Sequence, residues 1–318
     1  MREHVLIMNG DAEWFVSQLL VECPEYSYLA AADPDQAIDV GSHAEILVGL
    51  APALTEELIG SMANLKWIHA LTTGVDNLLS SQSVGQDVYL SNSSGFHGPQ
   101  MSELAVLLML STLRDYPRML DNQKVGKWER WPQPLLEGRS ACIVGVGSIA
   151  EALATRLLAF GMTVTGVSNG RTEVSGFSRI YKRSEFTSAA ADTDFLIILV
   201  PYSAATHHLV NDEVIAAMRP DAILINLSRG GCLDEQALEK HLTAGTIRAA
   251  ALDVFEQEPL PSDSPLWHTP GVTITPHIGG VSDIYRKQVL PSVIRNLKAW
   301  NNGGGGDLPD LIAREETV

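Results

Sequence analysis

Short apolar runs alternate with amphipathic segments along most of the chain. In the first third, four runs have the length and composition of buried strands, and they cover residues 4–10, 45–50, 65–71 and 88–92. The segments between them include two with the spacing of short helices. Because strands that alternate with helices form parallel sheets covered on both faces, this pattern predicts an α/β domain.

A long apolar helix separates this series from a second one. Pro99 suits the first turn of a helix, and we predict that the helix runs to Arg118. It is apolar on most faces, so we expect it to be buried in a domain or subunit interface. Six strand-like runs follow, then a helix at residues 282–300, four glycines and a tail that we interpret as a surface segment. The sequence thus predicts two doubly wound parallel-sheet domains of the Rossmann or flavodoxin type.

Composition and charge narrow the possible functions. With 318 residues, 45% of them apolar, the chain is long enough for two domains with buried cores. A net charge of −16 disfavours nucleic acid as a partner, because the surface repels phosphate backbones. The three cysteines lack the spacing of a zinc site or a disulfide framework, so we expect no metal. No apolar run has the length of a signal peptide or a membrane span, so we expect a cytoplasmic protein without membrane contact.

A glycine-rich turn follows the first strand of the second series. Residues 145–150 read Gly-Val-Gly-Ser-Ile-Ala, the G-x-G-x-x-A pattern, between an apolar strand and a helix. Gly145 allows the tight turn, and Gly147 lets the backbone approach a pyrophosphate. The helix N-terminus, at Ser148 and Ile149, offers unpaired amides and a positive dipole end to the phosphates. We therefore predict a dinucleotide site, and an empty Rossmann-like turn is the alternative.

The end of the next strand indicates which dinucleotide is favoured. An NAD site usually has Asp or Glu there, to bind the ribose 2′-hydroxyl, but this chain has Ser168, Asn169 and Arg171. A guanidinium suits the 2′-phosphate of NADP, because it binds phosphate with two charge-assisted hydrogen bonds. Glu173 weakens this interpretation, and a solvated Arg171 is the alternative. We predict NADPH as the preferred cofactor, with NADH as the second possibility.

Three later strands each lead to a side chain with acid–base or anion-binding chemistry: Arg229, Glu258 and His277. In an open parallel sheet, ligands bind at the carboxyl ends of the strands, so the three side chains are expected to act together there. Taken singly, each has a structural alternative. Arg229 would pair with an acid, Glu258 would be a loop residue before proline, and His277 would be a buried core histidine.

Several segments, in the same order, closely resemble those of the D-isomer-specific 2-hydroxyacid dehydrogenases. They are TTGVDNL, SSGFHGPQMSELAVLLML, GVGSIAEALA, INLSRGG, ALDVFEQEPLPSDSPLW and TPHIGG. The resemblance covers nearly the whole chain. In having no carboxylate at Ser168, the chain resembles the NADP-using glyoxylate/hydroxypyruvate reductases. Its tail differs from the usual C-terminal segment of the family. The resemblance implies reduction of a small 2-keto acid to the D-2-hydroxy acid.

The resemblance also implies a role for each candidate residue. His277 would give a proton to the keto oxygen, and Glu258 would hydrogen-bond His277 and favour its charged form. Arg229 would bind the carboxylate and polarise the keto oxygen. The loop that would hold the carboxylate comprises Thr73, Gly74 and Val75.

The cofactor contacts implied by the resemblance extend beyond the glycine turn. Asp253 would bind the nicotinamide carboxamide, and Pro201 and Thr206 would lie against the adenosine side. The remaining implied contacts are Leu227, Ser228, His277 and Gly279.

The motifs also predict a domain division that does not follow the chain. Residues 1–98 and 285–318 would form a substrate domain, and residues 99–284 the dinucleotide domain, with the reaction in a cleft between them. The apolar crossover helix suggests a homodimer, although burial within one chain would give the same pattern.

Two other functions share this scaffold. One is a redox-sensing protein similar to the C-terminal-binding-protein corepressors, which would bind NAD(H) without appreciable turnover. The other is phosphite or formate oxidation. Short-chain dehydrogenase chemistry is disfavoured because the chain has no Tyr-x-x-x-Lys, and a zinc alcohol dehydrogenase is disfavoured by the cysteine spacing.

Overall fold

The computed structural model describes residues 2–313, which form twelve β-strands. In chain order they are β1 (His4–Met8), β2 (Ser27–Ala31), β3 (Ile46–Gly49), β4 (Trp67–Ala70), β5 (Tyr89–Asn92), β6 (Ser140–Val144), β7 (Thr163–Val167), β8 (Arg179–Tyr181), β9 (Phe195–Ile198), β10 (Ile223–Asn226), β11 (Ala249–Leu252) and β12 (Val272–Ile274). They pair in parallel throughout, in two separate sheets.

The same residues form eleven α-helices. They are α1 (Ala12–Glu22), α2 (Pro34–Gly41), α3 (Glu56–Ser61), α4 (Asp76–Leu79), α5 (Gly98–Leu113), α6 (Tyr116–Lys124), α7 (Ser148–Ala159), α8 (Phe186–Ala191), α9 (Asp212–Ala217), α10 (Glu235–Thr243) and α11 (Tyr285–Gly303). Side-chain caps fix several starts, because Asp33, Thr55 and Asp234 accept first-turn amides of α2, α3 and α10. Within residues 2–313, the helices are all too short or too polar to cross a membrane.

The chain divides into two compact units. One comprises the chain up to Phe96 and the chain from Ser282 onward, and the other comprises His97–Val281. The first contains a five-stranded sheet with the order β2-β1-β3-β4-β5, and the second contains a seven-stranded sheet with the order β12-β11-β10-β9-β6-β7-β8. The predicted α/β class with two parallel sheets is confirmed.

Each sheet is covered on both faces, because successive side chains of a strand point to opposite sides. In β6, Ala141 and Ile143 pack with α5 and α7, whereas Cys142 and Val144 pack with α8 and α9. All four side chains are buried. A strand of this kind has apolar residues at every position, so polar and reactive side chains are left to the strand ends.

Two edge strands were not predicted from the apolar pattern. β2 lies at one edge of the five-stranded sheet, and β8 lies at one edge of the seven-stranded sheet. In β2 only Ala31 is fully buried, and β8 has three residues. β2 contains two alanines and no β-branched residue, and alanine is depleted in strands, whereas β8 is too short to give a recognisable apolar run.

The long helix predicted from Pro99 to Arg118 is two helices, and this part of the prediction was wrong. α5 ends at Leu113, and α6 starts at Tyr116 after Asp115, which has a φ of +56°. Pro117 lies in the first turn of α6 and has no amide hydrogen to continue the α5 ladder. Proline also disfavours a helical conformation of the residue before it, so the break falls close to this position.

The tail is also more ordered than the surface segment that the sequence suggested. Leu308 is buried, and Leu311 forms an antiparallel bridge with Ser91 of β5. The Ile312 amide donates to the Leu90 carbonyl at 2.8 Å. The tail therefore covers the free edge of β5 as far as Ile312. The predicted surface segment beyond residue 313 lies outside the described residues.

Candidate active site

The glycine turn between β6 and α7 fits a dinucleotide. Gly145 has a φ of +99°, and a Cβ there would lie 2.8 Å from the backbone of Leu199, so glycine is required. Gly147 precedes α7 in an extended conformation, and a Cβ there would meet no heavy atom within 4 Å. No side chain in residues 2–313 caps the first turn, which begins at Ser148 and Ile149. Its amides and dipole end are therefore available to a pyrophosphate.

The loop after β7 brings Arg171 next to this turn. The Ser168 hydroxyl accepts hydrogen bonds from the amides of Gly170 and Arg171 at 3.2 and 3.1 Å, which bends the chain. The Arg171 guanidinium then donates to the Val146 carbonyl at 3.5 Å and pairs with Glu151. A cation thus lies next to the dinucleotide turn.

The other side chains around the predicted adenosine position are used to close loops. The Asn169 side chain accepts a hydrogen bond from the Arg183 amide at 3.3 Å. The buried Thr206 hydroxyl donates to the Pro201 carbonyl at 2.8 Å and accepts from the Ser203 amide at 2.7 Å. These bonds give the two loops a defined shape.

Arg229 lies in a tight turn after β10. Asn226 is fully buried, accepts from the Ser228 amide at 3.1 Å and donates to the Arg229 carbonyl at 3.0 Å. Leu227 and Ser228 are buried between them. A Cβ at Gly230 would lie 1.8 Å from the carbonyl carbon of Phe255, so only glycine lets this turn contact the segment that leads to Glu258.

The buried Asp253 organises the segment that carries His277. One carboxylate oxygen accepts from the Thr275 hydroxyl at 2.5 Å and from the Ile278 amide at 3.0 Å, and the other accepts from the Gly279 amide at 2.9 Å. The His277 amide donates to the Asp253 carbonyl at 2.8 Å. His277 has a φ of +49°, a conformation that costs a non-glycine residue energy and needs such bonds to persist.

His277 and Glu258 form a hydrogen-bonded pair. Nδ1 of His277 lies 2.6 Å from Oε2 of Glu258, and the side chains are 45% and 33% exposed. Oε1 of Glu258 accepts from the Phe255 amide at 2.9 Å, which holds the carboxylate in place. Because Nδ1 faces the glutamate, Nε2 is the ring nitrogen left for a ligand.

The pair favours the charged form of each partner. The hydrogen bond to Glu258 raises the pKa of His277 above its ordinary value of 6.5, and this outweighs the opposing effect of burial. Burial alone would raise the pKa of Glu258, but the bonds from His277 and the Phe255 amide outweigh it and lower that pKa. The histidine is therefore suited to give a proton near neutral pH.

The loop after β4 belongs to the other unit, and side chains of the same unit hold its backbone. The Thr72 hydroxyl donates to the Gly74 carbonyl at 2.8 Å, and the Thr73 hydroxyl donates to the Ser93 carbonyl at 2.9 Å. The Asn92 side chain donates to the Thr73 carbonyl at 2.6 Å. Side chains thus hold the backbone that leads from Thr73 through Gly74 to Val75.

The comparison with known families concerns the part of the chain that carries most of these residues. The family model described as D-isomer specific 2-hydroxyacid dehydrogenase, NAD binding domain, matches residues 106–279. That range contains the glycine turn, Arg229, Glu258 and His277. The chain belongs to the D-isomer specific 2-hydroxyacid dehydrogenase family.

Relatives of this dehydrogenase support the assignment over nearly the whole chain. Glyoxylate/hydroxypyruvate reductase B from Pectobacterium atrosepticum is 31% identical over 267 residues, 82% of this chain and 83% of the relative. The crystal structure of a D-isomer specific 2-hydroxyacid dehydrogenase family protein from Aeromonas salmonicida has a TM-score of 0.91 at 32% identity and covers 99% and 100% of the two chains. An NADPH-dependent glyoxylate/hydroxypyruvate reductase from Sinorhizobium meliloti, solved with citrate, has a TM-score of 0.80 at 27% identity and covers 98% of each.

The predicted family and the predicted class of enzyme, an NAD(P)-dependent dehydrogenase, are confirmed. Because the matched model is the NAD binding domain of the family, this dehydrogenase binds a nicotinamide dinucleotide. The roles of the individual residues stay predictions. Three supporting side chains were missed, namely Thr72, Asn92 and Asn226. The signal for Asn226 was a polar residue at the end of the apolar run AILINLS.

Proposed function

We propose that this dehydrogenase reduces a small 2-keto acid of the glyoxylate or hydroxypyruvate type to the D-2-hydroxy acid. The observation that carries the proposal is the His277–Glu258 pair, a proton donor held at 2.6 Å by a carboxylate in the same unit as the dinucleotide turn. The reductase named among the relatives supports the substrate type.

Each residue of the pair has a defined task in this reaction. When bound, the nicotinamide cofactor supplies a hydride to the keto carbon. Nε2 of His277 gives a proton to the keto oxygen, and Glu258 keeps the ring charged and oriented until then. Arg229 binds the substrate carboxylate and stabilises the negative charge that develops on the keto oxygen. The amides of Gly74 and Val75, next to Thr73, also hold the carboxylate.

We propose NADPH as the preferred cofactor. The support is Arg171, a cation placed at the glycine turn, together with the absence of an acid at Ser168 and Asn169. The NADPH-dependent relative from Sinorhizobium meliloti agrees with this preference. The residues that would hold the cofactor are Gly145, Gly147, Ser148, Ile149, Pro201, Thr206, Leu227, Ser228, Asp253, His277 and Gly279.

We also propose that the enzyme acts as a homodimer in the cytoplasm. α5, α6 and the connector after them expose apolar side chains that a second copy would cover, of which Leu107, Val125 and Trp128 are the most exposed, at 58%, 75% and 86%. The cysteines Cys23, Cys142 and Cys232 are free and buried, which suits a reducing compartment.

A spectrophotometric screen tests the function. Glyoxylate, hydroxypyruvate, pyruvate and phenylpyruvate are offered with NADPH and with NADH, and cofactor oxidation is followed at each substrate. We expect turnover with the smaller keto acids and loss of most turnover in His277→Ala, with cofactor binding retained. Cofactor binding without turnover of any keto acid would instead support a redox sensor and contradict the proposal.

A further inference from the structure

Two side chains hold the two peptide groups at the centre of the loop after β4. The Asn92 amide donates to the Thr73 carbonyl at 2.6 Å, and the Thr72 hydroxyl donates to the Gly74 carbonyl at 2.8 Å. Both bonds run from a side chain to a backbone oxygen. Neither of these side chains is among the residues that contact the substrate in the proposed reaction.

Peptide geometry connects these bonds to the proposed substrate contact. The carbonyl of one residue and the amide of the next share one planar group, and in a trans peptide they point in opposite directions. The Thr73 carbonyl shares its peptide with the Gly74 amide, and the Gly74 carbonyl shares its peptide with the Val75 amide. Holding each carbonyl oxygen therefore fixes the direction of the N–H in the same peptide, which points away from that oxygen.

Both amides are available for a ligand. Within residues 2–313, neither the Gly74 amide nor the Val75 amide donates a hydrogen bond to another group. A pair of adjacent amides held in this way is suited to an anion such as a carboxylate. The carbonyl oxygens of Thr73 and Gly74 are thus hydrogen-bonded within the protein, whereas the amides of Gly74 and Val75 are left for a ligand.

A glycine at position 74 makes such tethers necessary. Glycine adopts positive and negative φ with similar ease, so the peptide between Thr73 and Gly74 is easily turned over. The turned peptide would present its carbonyl oxygen to the substrate carboxylate and repel it. The bond from Asn92 opposes this rotation, since the rotation would break it.

The tethers are themselves anchored to regular structure. The Thr72 hydroxyl accepts from the Ala51 amide at 3.4 Å, just after β3. Asn92 is the last residue of β5, and its own amide donates to the Asp310 carbonyl of the docked tail at 3.3 Å. We infer that Thr72 and Asn92 are positioning residues, which direct the Gly74 and Val75 amides toward the substrate carboxylate. This inference rests on the proposed function of the loop.

Two variants that remove a donor test the inference. Thr72→Val and Asn92→Leu keep the approximate side-chain size but cannot donate. Each variant should weaken a hydrogen bond from the Gly74 or Val75 amide to the substrate carboxylate. We therefore expect KM for the keto acid to rise about tenfold, with a smaller change in kcat. The dissociation constant of NADPH should stay unchanged, and Thr72→Ser should restore KM.

Asn77→Leu is a matched control from α4, the helix that follows this loop. The Asn77 side chain donates to the Ala51 carbonyl at 2.7 Å, but that carbonyl shares its peptide with Pro52, which has no N–H to direct. The control loses the same kind of bond without redirecting an amide, so its KM should stay within about twofold of the wild type.

Substrates without a carboxylate give a second measurement. The wild type should prefer a 2-keto acid to the corresponding 2-keto amide, and this preference should shrink in Thr72→Val and in Asn92→Leu. Unchanged KM and unchanged preference in both variants would overturn the inference, as would an equal rise of KM in Asn77→Leu. A wild type that reduces no keto acid would overturn the proposed function itself.

Discussion

The hydrogen bond between His277 and Glu258 sets the pH range in which the proton donor is charged. Because the pKa of His277 is raised, the charged form persists above pH 6.5 and is lost as the pH rises through the raised value. In the proposed reaction, reduction needs the charged ring of His277, whereas oxidation of the hydroxy acid needs the neutral ring. Reduction should therefore decline as the pH rises through the raised pKa of His277.

Glu258→Gln tests this dependence. The amide replaces the carboxylate that stabilises the imidazolium, so the pKa of His277 should fall toward 6.5 and the alkaline decline of kcat/KM should move to lower pH. The matched control is Glu256→Gln, since Glu256 pairs with His208 at 2.7 Å and not with His277. Identical pH profiles for Glu258→Gln and the wild type would contradict the assignment.

Arg171 provides the test of cofactor preference. Arg171 and Glu151 form an ion pair, and both side chains are about half exposed. Exchanging Glu151 for a phosphate as the partner of Arg171 therefore costs little free energy. Arg171→Ala should lower kcat/KM with NADPH by about tenfold or more and leave the value with NADH nearly unchanged.

A second arginine controls for the loss of a positive charge. Arg179 of β8 pairs with Glu185 at 2.9 Å and stacks on Tyr181. Arg179→Ala should leave the NADPH/NADH ratio unchanged. If the ratio also stays unchanged in Arg171→Ala, Arg171 does not bind the 2′-phosphate.

The docked tail depends on a glycine that packs against β5. A Cβ at Gly305 would lie 2.2 Å from the ring of Tyr89, whereas a Cβ at Gly306 would meet no heavy atom within 4 Å. Beyond them, Asp310 accepts from Ser292 and Asn296 of α11, at 3.0 and 2.7 Å. The glycine run thus lets α11 end and the tail turn onto the sheet edge.

Substitutions at two neighbouring glycines test this packing. Gly305→Ala forces a clash, so the free energy of unfolding should fall by about 1–3 kcal/mol. Gly306→Ala should change it by less than about 0.5 kcal/mol. Urea denaturation followed by tryptophan fluorescence measures both, because Trp300 stacks on Trp67 in the same unit. Equal stability of the two variants would show that the tail is not packed as described.

Exposed apolar side chains near α6 predict that two copies of the chain associate. Val125 and Trp128 are among the most exposed large apolar residues of the described chain, and they follow α6 closely. Light scattering should give the mass of a dimer for the wild type. Changing both residues to Asp should shift the mass toward the monomer, because the interface would then bury unpaired charges.

Val21 of α1 supplies the control for that experiment. It is 78% exposed, which is comparable to Val125, but it lies in the other unit. Val21→Asp should leave the mass unchanged. A monomeric wild type, or dissociation caused equally by Val21→Asp, would contradict a dimer formed through α5, α6 and the connector.

Much of the architecture was predictable because the central strands are buried on both faces. Runs such as residues 195–198 and 223–225 are apolar throughout, which marks them as strands without knowledge of their neighbours. β2 and β8 were missed because β2 has alanines in place of β-branched residues and β8 has three residues only. The break at Asp115 was missed although Pro117 was visible, because the apolar pattern continues across it.

In the candidate site, too, some features follow from the sequence and others only from the tertiary structure. The sequence by itself determined the glycine turn, the family and the identity of Arg229, Glu258 and His277, because these depend on residue types in local order. Only the tertiary structure decided that Nδ1 faces Glu258, that Asp253 holds the His277 segment, and that Asn92 reaches Thr73. Those contacts join residues about 20 positions apart or more through strand pairing, and no local pattern in the sequence encodes such distances.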